Sequence, residues 1–273
     1  MEENAMNVLL LSDFSKVGIN AIHYAMDLLQ DQQANFYLLN IYDPDPECID
    51  NCAEDEKAMT LATLEERVQK LQQRSENRPH KVTGHYSEEK LVNAAREFVK
   101  KHRIDLIVMG AVGHEQRHST ILGKHTFEIM SKIKCNTLAV AHESEFKKPE
   151  RLLMPLDYNA SFGSKNIRFL KDSEVFKGKH LDIWEIPSVE NFGDDRNIGK
   201  KEIFSRLKNI RVNFSTFVES SVYDKTTWAD VQNKFDHIVI LGKNIRICDL
   251  LLHNKDGLYA KVPNQLPILV LHD

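Results

Sequence analysis

The sequence predicts an α/β fold made of two tandem, doubly wound parallel sheets, each with five strands. Short apolar runs alternate with segments whose apolar residues recur every three or four positions, as buried strands and amphipathic helices require. The 273 residues provide enough chain for two domains of about 140 residues each. The landmarks of the first half also recur, in the same order, in the second half. These observations predict the fold class before any single residue is given a role.

The first half alternates strands and helices in the order β-α-β-α-β-α-β-α-β. Asn7–Leu11 is a continuous apolar run, which is typical of a strand buried on both faces of a parallel sheet. Ser15 suits the N-cap of the helix that follows, whose apolar residues form one stripe. The more polar alternation of Lys81–Tyr86 predicts an edge strand. The other predicted elements are strands at 36–42, 104–110 and 136–142, and helices from about Leu61 to Arg74, from Ser87 and from Lys124.

An acidic segment separates the second strand from the next helix. Asp43–Glu56 holds seven acidic residues, two prolines and no basic residue, so it is predicted to be a solvated loop. Cys48 and Cys52 form a single C-x3-C pair there. A zinc site normally needs further ligands, and no second pair follows, so no metal site is predicted.

Three glycines follow the fourth predicted strand. They are Gly110, Gly113 and Gly123, spaced as G-x2-G-x9-G, and a helix and the fifth strand come next. Glycine between a strand and a helix lets the backbone approach a phosphate, and the helix N-terminus adds free N–H groups and a positive dipole end. On residue pattern alone, the same glycines could simply form turns.

This spacing resembles the nucleotide-binding signature of the universal stress protein family. The resemblance implies an adenine nucleotide alpha-hydrolase-like fold with strand order 3-2-1-4-5, so that strands one and four are neighbours. A crevice then opens at their C-terminal ends, beside Asp13 and Gly110. The family has Ser or Thr after the third glycine, where this chain has Lys124. A lysine could supply a cation to a phosphate or fill the pocket.

The resemblance also implies the ligand and the residues that hold it. The ligand would be ATP or another adenine nucleotide, with or without Mg, and Asp13 and Ile41 would flank its adenosine. The phosphates would be surrounded by Met109, Gly110, Gly113, Gly123, Lys124 and His125. Asp13 has an alternative role as a helix cap or turn residue. The alternative function is a nucleotide-free interaction or scaffold protein of the same fold.

The second half repeats the first with changes where the chemistry would be. Arg151–Asp157 corresponds to Val8–Asp13, Phe235–Gly242 to Ile104–Gly110, and Gln265–His272 to Asn136–His142, with strands two and three expected at Leu181–Ile186 and Val212–Val218. The predicted boundary lies at 144–150, which gives domains 1–146 and 147–273. Ile245 and Lys255 stand where the second and third glycines are expected. Only the first domain is therefore expected to bind a nucleotide, and the degenerate second domain is expected to be a structural partner.

Family domains commonly pair through their fifth strands. In a tandem chain this implies intramolecular pairing of Asn136–His142 with Gln265–His272, which would cover an apolar edge. A homodimer of such chains is a further alternative.

Composition excludes several other classes of protein. The net charge of −4 gives no general attraction to nucleic acid, and no apolar run approaches the roughly 20 residues of a membrane helix. The acidic N-terminus is unlike a signal peptide, and the four irregularly spaced cysteines fit a reducing compartment, so the cytoplasm is predicted.

The remaining catalytic and metal-binding patterns are weak. His114 and His118 could face one metal ion if their segment were helical, but no third ligand is evident. There is no G-x-S-x-G elbow and no G-x4-G-K-[ST] loop, although Arg117 could neutralise a phosphate. The sequence therefore predicts a regulatory binding module rather than an enzyme, with at most slow ATP hydrolysis.

Overall fold

The computed structural model of the chain describes residues 5–42, 50–112, 122–156, 164–186, 194–216, 232–245 and 265–273. In the first half, strands and helices alternate as β1 (Met6–Leu11), α1 (Lys16–Leu28), β2 (Ala34–Ile41), α2 (Asp50–Arg74), β3 (His80–Ser87), α3 (Leu91–His102), β4 (Leu106–Gly110), α4 (Lys124–Lys132) and β5 (Asn136–Val140). The second half contributes β6 (Arg151–Leu156), α5 (Ser164–Asp172), β7 (His180–Glu185), α6 (Asp194–Arg206), β8 (Arg211–Thr216), β9 (His237–Leu241) and β10 (Ile268–Leu271).

The strands form one ten-stranded sheet in the order β3-β2-β1-β4-β5-β10-β9-β6-β7-β8. Each half thus has the order 3-2-1-4-5, and its described strand pairs are all parallel. The two fifth strands, β5 and β10, pair antiparallel, with Leu138 opposite Leu269 and Thr137 opposite Val270. Since these side chains are all buried, the apolar edge of each half is covered by the other half.

The sheet separates two apolar layers. On one face, a single cluster of buried residues runs across both halves and includes Val8, Leu138, Leu269 and Leu152. Helices α1, α2, α5 and α6 all contribute to this layer. On the opposite face, residues of α3 and α4 pack over the first half, and a separate cluster lies near the junction of the two halves. Both faces are therefore covered, which explains why the strands are continuous apolar runs.

Two helix starts differ from the prediction. Helix α2 begins at Asp50, so residues 50–56 of the predicted acidic loop are helical. Acidic residues are favourable near a helix N-terminus, and no proline lies between Pro46 and Pro79 to interrupt this helix. Helix α3 begins at Leu91 rather than at Ser87, because Ser87 ends β3 and its hydroxyl accepts a hydrogen bond from the Glu89 N–H.

Other local predictions are confirmed. Ser15 caps α1, because its Oγ accepts from the Gly18 N–H at 3.2 Å, and β3 lies at the edge of the sheet. Cys48 and the side chain of Cys52 lie outside the described part of the structure. None of the helices in the described ranges combines the length and apolarity that crossing a bilayer requires.

Candidate functional site

The strand order creates a crevice at one end of the first half. Strands β1 and β4 are paired neighbours, with Val8 opposite Leu106, whereas β1 is followed in sequence by β2 on one side and β4 by β5 on the other. Their following segments diverge, so a gap opens where both strands end. The described rim of this crevice consists of Ser12 and Asp13 after β1, Ala111 and Val112 after β4, and the first turn of α4.

Asp13 stands at this rim and also helps to start α1. Its Oδ1 accepts hydrogen bonds from the Ser15 N–H at 3.0 Å and from the Ser15 hydroxyl at 2.6 Å. Between them, Phe14 has a left-handed φ of 58°. The turn role anticipated as an alternative for Asp13 is therefore present. Its second oxygen, Oδ2, accepts no hydrogen bond from the described residues and can face a ligand.

A buried polar residue next to Ile41 was missed by the sequence analysis. Asn40 is only 5% exposed, and its Nδ2 donates to the Ser12 carbonyl at 2.9 Å, which fixes the ends of β1 and β2 together. Ile41 itself is half-buried against the core on the α3–α4 face. An asparagine near the end of an otherwise apolar strand was the available signal, because burying an amide is costly unless it is hydrogen-bonded.

Gly110 has a packing role that the phosphate hypothesis did not consider. A Cβ atom on Gly110 would lie 3.0 Å from Val17 Cγ2 and 3.3 Å from the Val17 backbone carbon. The missing side chain therefore allows α1 to pack closely on the end of β4. The preceding residue, Met109, is buried in the core on the opposite face of the sheet, so its side chain packs beneath the strand end rather than in the crevice.

The N-terminus of α4 has the features of an anion site. Gly123 is the N-cap residue and provides no side-chain cap, and in the described structure the N–H groups of Lys124, His125 and Thr126 make no hydrogen bond. The Gly123 N–H donates to the Ala111 carbonyl at 2.8 Å, and the Thr126 hydroxyl donates to the Gly110 carbonyl at 2.9 Å. These bonds hold three free donors and the positive end of the helix dipole beside the crevice.

Lys124 and His125 are both exposed on this first turn, so they can reach an anion there. Helix α4 carries several cationic side chains, and they stabilise the charged form of its acidic residue, Glu128. A hydrogen bond from Lys132, with further contributions from the charges of Lys132, Lys124 and His125, lowers the pKa of Glu128. Gly113, together with His114, Arg117 and His118, lies outside the described residues, so the roles predicted for it are not tested.

Strand pairing corrects the predicted alignment of the second half. Val8 pairs with Leu106, and its counterpart Leu152 pairs with His237, so His237 corresponds to Leu106. Gly110 lies four residues after Leu106, and Leu241 lies four residues after His237, so Gly110 corresponds to Leu241 rather than to Gly242. The sequence comparison was off by one because it matched the glycines that end the two runs, although the run from Phe235 to Gly242 is one residue longer than the run from Ile104 to Gly110.

The second half differs from the first at three corresponding positions near the strand ends. Leu241, which is 1% exposed, replaces Gly110, and Leu156, which is fully buried, replaces Ser12. Glu185 replaces Asn40, and its Oε1 pairs with Lys200 Nζ at 2.9 Å. Bulky or paired side chains thus occupy positions where the first half presents a bare backbone or a small polar group.

Comparison with known proteins agrees with this architecture. A family model described as "Universal stress protein family" matches residues 5–141. A universal stress protein from Archaeoglobus fulgidus DSM 4304 is 14% identical, with 99% of each chain covered and a TM-score of 0.64. A putative universal stress protein from Pseudomonas aeruginosa UCBPP-PA14 is 10% identical, with 98% of this chain and 93% of that chain covered and a TM-score of 0.52. No curated protein matches the chain at a significant level.

Proposed function

Because this chain belongs to the universal stress protein family, we propose that it is a cytoplasmic stress-response protein whose first half binds an adenine nucleotide. The observation that carries the proposal is the first turn of α4, where three backbone N–H groups lack partners among the described residues at the end of β4. A helix terminus of this kind favours a phosphate through both its donors and its dipole. The proposed ligand is ATP, with or without Mg, and the proposed role is regulatory binding with at most slow hydrolysis.

Each site residue has a specific part in this proposal. Asp13 accepts a ribose hydroxyl through its free Oδ2, and Ile41 offers an apolar surface to the adenine. The phosphates lie over Gly113, Gly123 and the N–H groups of Lys124 and His125, whose side chains add positive charge. Met109 and Gly110 lie beneath the phosphates. The Met109 side chain packs in the core on the α3–α4 face of the sheet, and Gly110 allows α1 to pack closely on β4. We expect nucleotide binding only in the first half, because the second half has buried leucines, Leu156 and Leu241, at the positions of Ser12 and Gly110.

Reversing the charge of Lys124 tests the proposal. Lys124→Glu places an acid in the first turn of α4, which favours the helix by about 0.3–1 kcal/mol but repels a phosphate. We expect ATP affinity to fall at least tenfold, which corresponds to about 1.4 kcal/mol, while the melting temperature does not decrease. Isothermal titration calorimetry with ATP, with and without Mg, measures the first quantity, and thermal denaturation measures the second.

Lys81→Glu is the matched control, because Lys81 is an exposed lysine of β3 and its reversal makes the same change in net charge. Equal loss of affinity in the two variants would mean that the effect is one of overall charge. Absence of heat with the wild-type chain at millimolar ATP would argue against the nucleotide site altogether.

A nucleotide-free interaction protein of the same fold is the second candidate. It is favoured by Gly110, whose missing side chain is already explained by the packing of Val17, and by the lysine that replaces the family's hydroxyl at position 124. Mass spectrometry of small molecules released from the denatured, purified protein distinguishes the two candidates. A co-purifying adenine nucleotide supports the first candidate, and a ligand-free protein that also gives no heat with ATP supports the second.

A further inference from the structure

Two histidines lie side by side at the outer edge of the first half. His85 is on β3, the edge strand, and His102 is the last residue of α3. Their ring centres are 5.6 Å apart, and both side chains are half-buried, so they are packed but still reached by solvent. Strand β2 separates β3 from β1, so these histidines lie away from the proposed nucleotide crevice. We call them the His85–His102 pair.

Two aromatic side chains hold this pair in position. Phe98 lies one turn before His102 on α3, and its ring stacks on the His102 imidazole with ring centres 4.2 Å apart. The same ring packs edge-on against His85 at 4.9 Å. Tyr37 of β2 contacts both imidazoles, at 4.8 Å from His102 and 5.8 Å from His85. The imidazoles are therefore positioned by packing before any ligand binds, which lowers the entropy cost of binding.

Three of the four ring nitrogens of the pair are available to a ligand. His85 Nε2 lies 3.1 Å from Thr83 Oγ1, and when this nitrogen donates to the hydroxyl, the imidazole lone pair is on Nδ1. Among the described residues, neither His85 Nδ1 nor either nitrogen of His102 has a hydrogen-bond partner, and none of the three is fully buried. A histidine that binds a metal ion through one nitrogen normally donates through the other, as the threonine allows here.

The surroundings favour the neutral form of both imidazoles. Burial is the main cause that lowers the pKa of each histidine, and the positive charge of Lys101 adds to this effect at both. Only a neutral imidazole offers a lone pair to a metal ion, so neither ring has to lose a proton near pH 7 in order to bind one. The charge of Lys101 also repels a cation, so we expect moderate rather than tight affinity.

The distance between the two rings suits a shared metal ion. Zinc binds imidazole nitrogens at about 2.0–2.1 Å in tetrahedral geometry, which places the centres of two imidazoles on one ion roughly 5–6 Å apart. In the described part of the chain, no third histidine, cysteine, aspartate or glutamate joins the pair. The protein therefore supplies two ligands there and leaves the other coordination positions to water.

We propose that the His85–His102 pair binds a divalent transition-metal ion that prefers imidazole, with Zn²⁺ as the representative ion. Imidazole suits zinc, copper and nickel, whereas Mg²⁺ and Ca²⁺ prefer oxygen ligands. The bound ion links the edge strand β3 to the end of α3, and it stabilises the folded state because it binds only where both imidazoles are brought together.

Nuclear magnetic resonance of the histidine side chains tests this proposal on the full-length chain. Zinc chloride is titrated at neutral pH while the imidazole resonances of His85 and His102 are followed. We expect both sets to change together and to saturate with one dissociation constant in the micromolar to submillimolar range. Magnesium chloride at the same concentrations is expected to change neither set. A zinc titration that leaves both imidazoles unchanged, or that shifts only one of them, would overturn the proposal.

Substitutions separate this site from the other histidines and cysteines of the chain. His85→Gln and His102→Gln are each expected to weaken zinc binding about tenfold or more, measured at the imidazole that remains. Thr83→Val removes the hydroxyl beside His85 Nε2 and is expected to weaken binding less. His142→Gln, which removes an exposed histidine after β5, is the matched control and is expected to leave binding at the pair unchanged. Equal losses in the control and in the two substitutions of the pair would contradict a shared ion.

Thermal denaturation checks that the substitutions act on the metal site rather than on folding. Without metal, His85→Gln and His102→Gln are expected to retain a cooperative transition, because both side chains are half-buried and not in the core. Zinc is expected to raise the melting temperature of the wild-type chain and of His142→Gln more than that of either substitution of the pair. An equal rise in all four proteins would place the stabilising ion elsewhere and count against the proposal.

Discussion

At the scale of single residues, a buried polar pair links the two halves. Tyr24 of α1 and His237 of β9 lie with the tyrosine hydroxyl and the histidine Nε2 3.2 Å apart, and His237 is fully buried. Burial raises the pKa of Tyr24 and lowers the pKa of His237 to about 4. The Phe146 and Phe176 rings pack edge-on around this pair, which keeps water away from it.

The depressed pKa of His237 predicts loss of stability in mild acid. Because the unfolded chain binds this proton near pH 6.5 and the folded chain only near pH 4, stability is fully present above pH 6.5 and falls as the pH is lowered towards 4. The contribution of His237 over this window is about 3 kcal/mol. His237→Gln is expected to flatten the pH dependence of the free energy of unfolding by roughly this amount, measured by urea denaturation between pH 4 and 7.

The control for this prediction is His142→Gln, since His142 is an exposed histidine. Burial also lowers the pKa of His23, His80, His85, His102 and His272, so the wild-type curve falls further than His237 alone explains. The test is therefore the difference between the two variants. Parallel curves for both would show that His237 does not titrate differently on folding.

At the scale of elements, the position of α1 against β4 depends on one contact. Val17 of α1 occupies the space that a side chain on Gly110 would need, and Ser15 and Asp13 fix where α1 begins. The same helix carries Asn20, whose Nδ2 donates to the carbonyls of Ala141 and Ser144, both at 3.0 Å. Helix α1 thus connects the rim of the crevice to the segment that leads into the second half.

The Gly110–Val17 contact predicts non-additive effects of substitution. Gly110→Ala is expected to destabilise the protein by about 1–3 kcal/mol, because the added methyl group meets Val17 and the helix must shift. Val17→Ala alone removes buried methyl groups and is also expected to be destabilising. The double variant is expected to be more stable than the sum of the two losses predicts, because the shortened side chain at position 17 leaves room for the methyl group added at position 110. Urea denaturation of the four proteins measures the coupling, and additive losses would contradict the packing role.

At the scale of the whole molecule, the antiparallel pairing of β5 and β10 fuses two parallel five-stranded units into one sheet. One apolar layer then runs without a break beneath α1, α2, α5 and α6. The hydroxyl of Ser144, which leads out of the first half, donates to the Gln265 carbonyl just before β10 at 2.5 Å. The two halves therefore share their core as well as their sheet.

This shared core predicts cooperative unfolding. Both tryptophans, Trp184 and Trp228, lie in the second half, so tryptophan fluorescence reports on that half while far-ultraviolet circular dichroism reports on both. We expect the two unfolding curves to coincide in urea. Leu269→Asp places a charge in the junction and is expected to lower the midpoint strongly or to separate the curves.

Met59→Asp is the control for the junction variant, because Met59 is 71% exposed on α2. It is expected to leave the midpoint nearly unchanged. Separate fluorescence and dichroism transitions in the wild-type chain would mean that the halves unfold independently, in spite of their continuous sheet.

The local sequence pattern was sufficient to predict most of the fold and the end of the sheet where the candidate site lies. The apolar runs of Asn7–Leu11 and Ile104–Gly110 predicted buried strands, Ser15 predicted a helix start, and the glycine spacing pointed to the family. These predictions were possible because strand alternation, helix periodicity and capping depend on residues that are near one another in the chain.

Other features depend on contacts between residues far apart in the chain, and only the folded structure fixes them. Local sequence cannot show that Gly110 makes room for Val17, or that Tyr24 of the first half meets His237 of the second half. The partners of a side chain in such cases are set by the packing of whole elements. The amino-acid order therefore specified the elements and their family, whereas the packing between those elements specified which groups remain free to bind an anion.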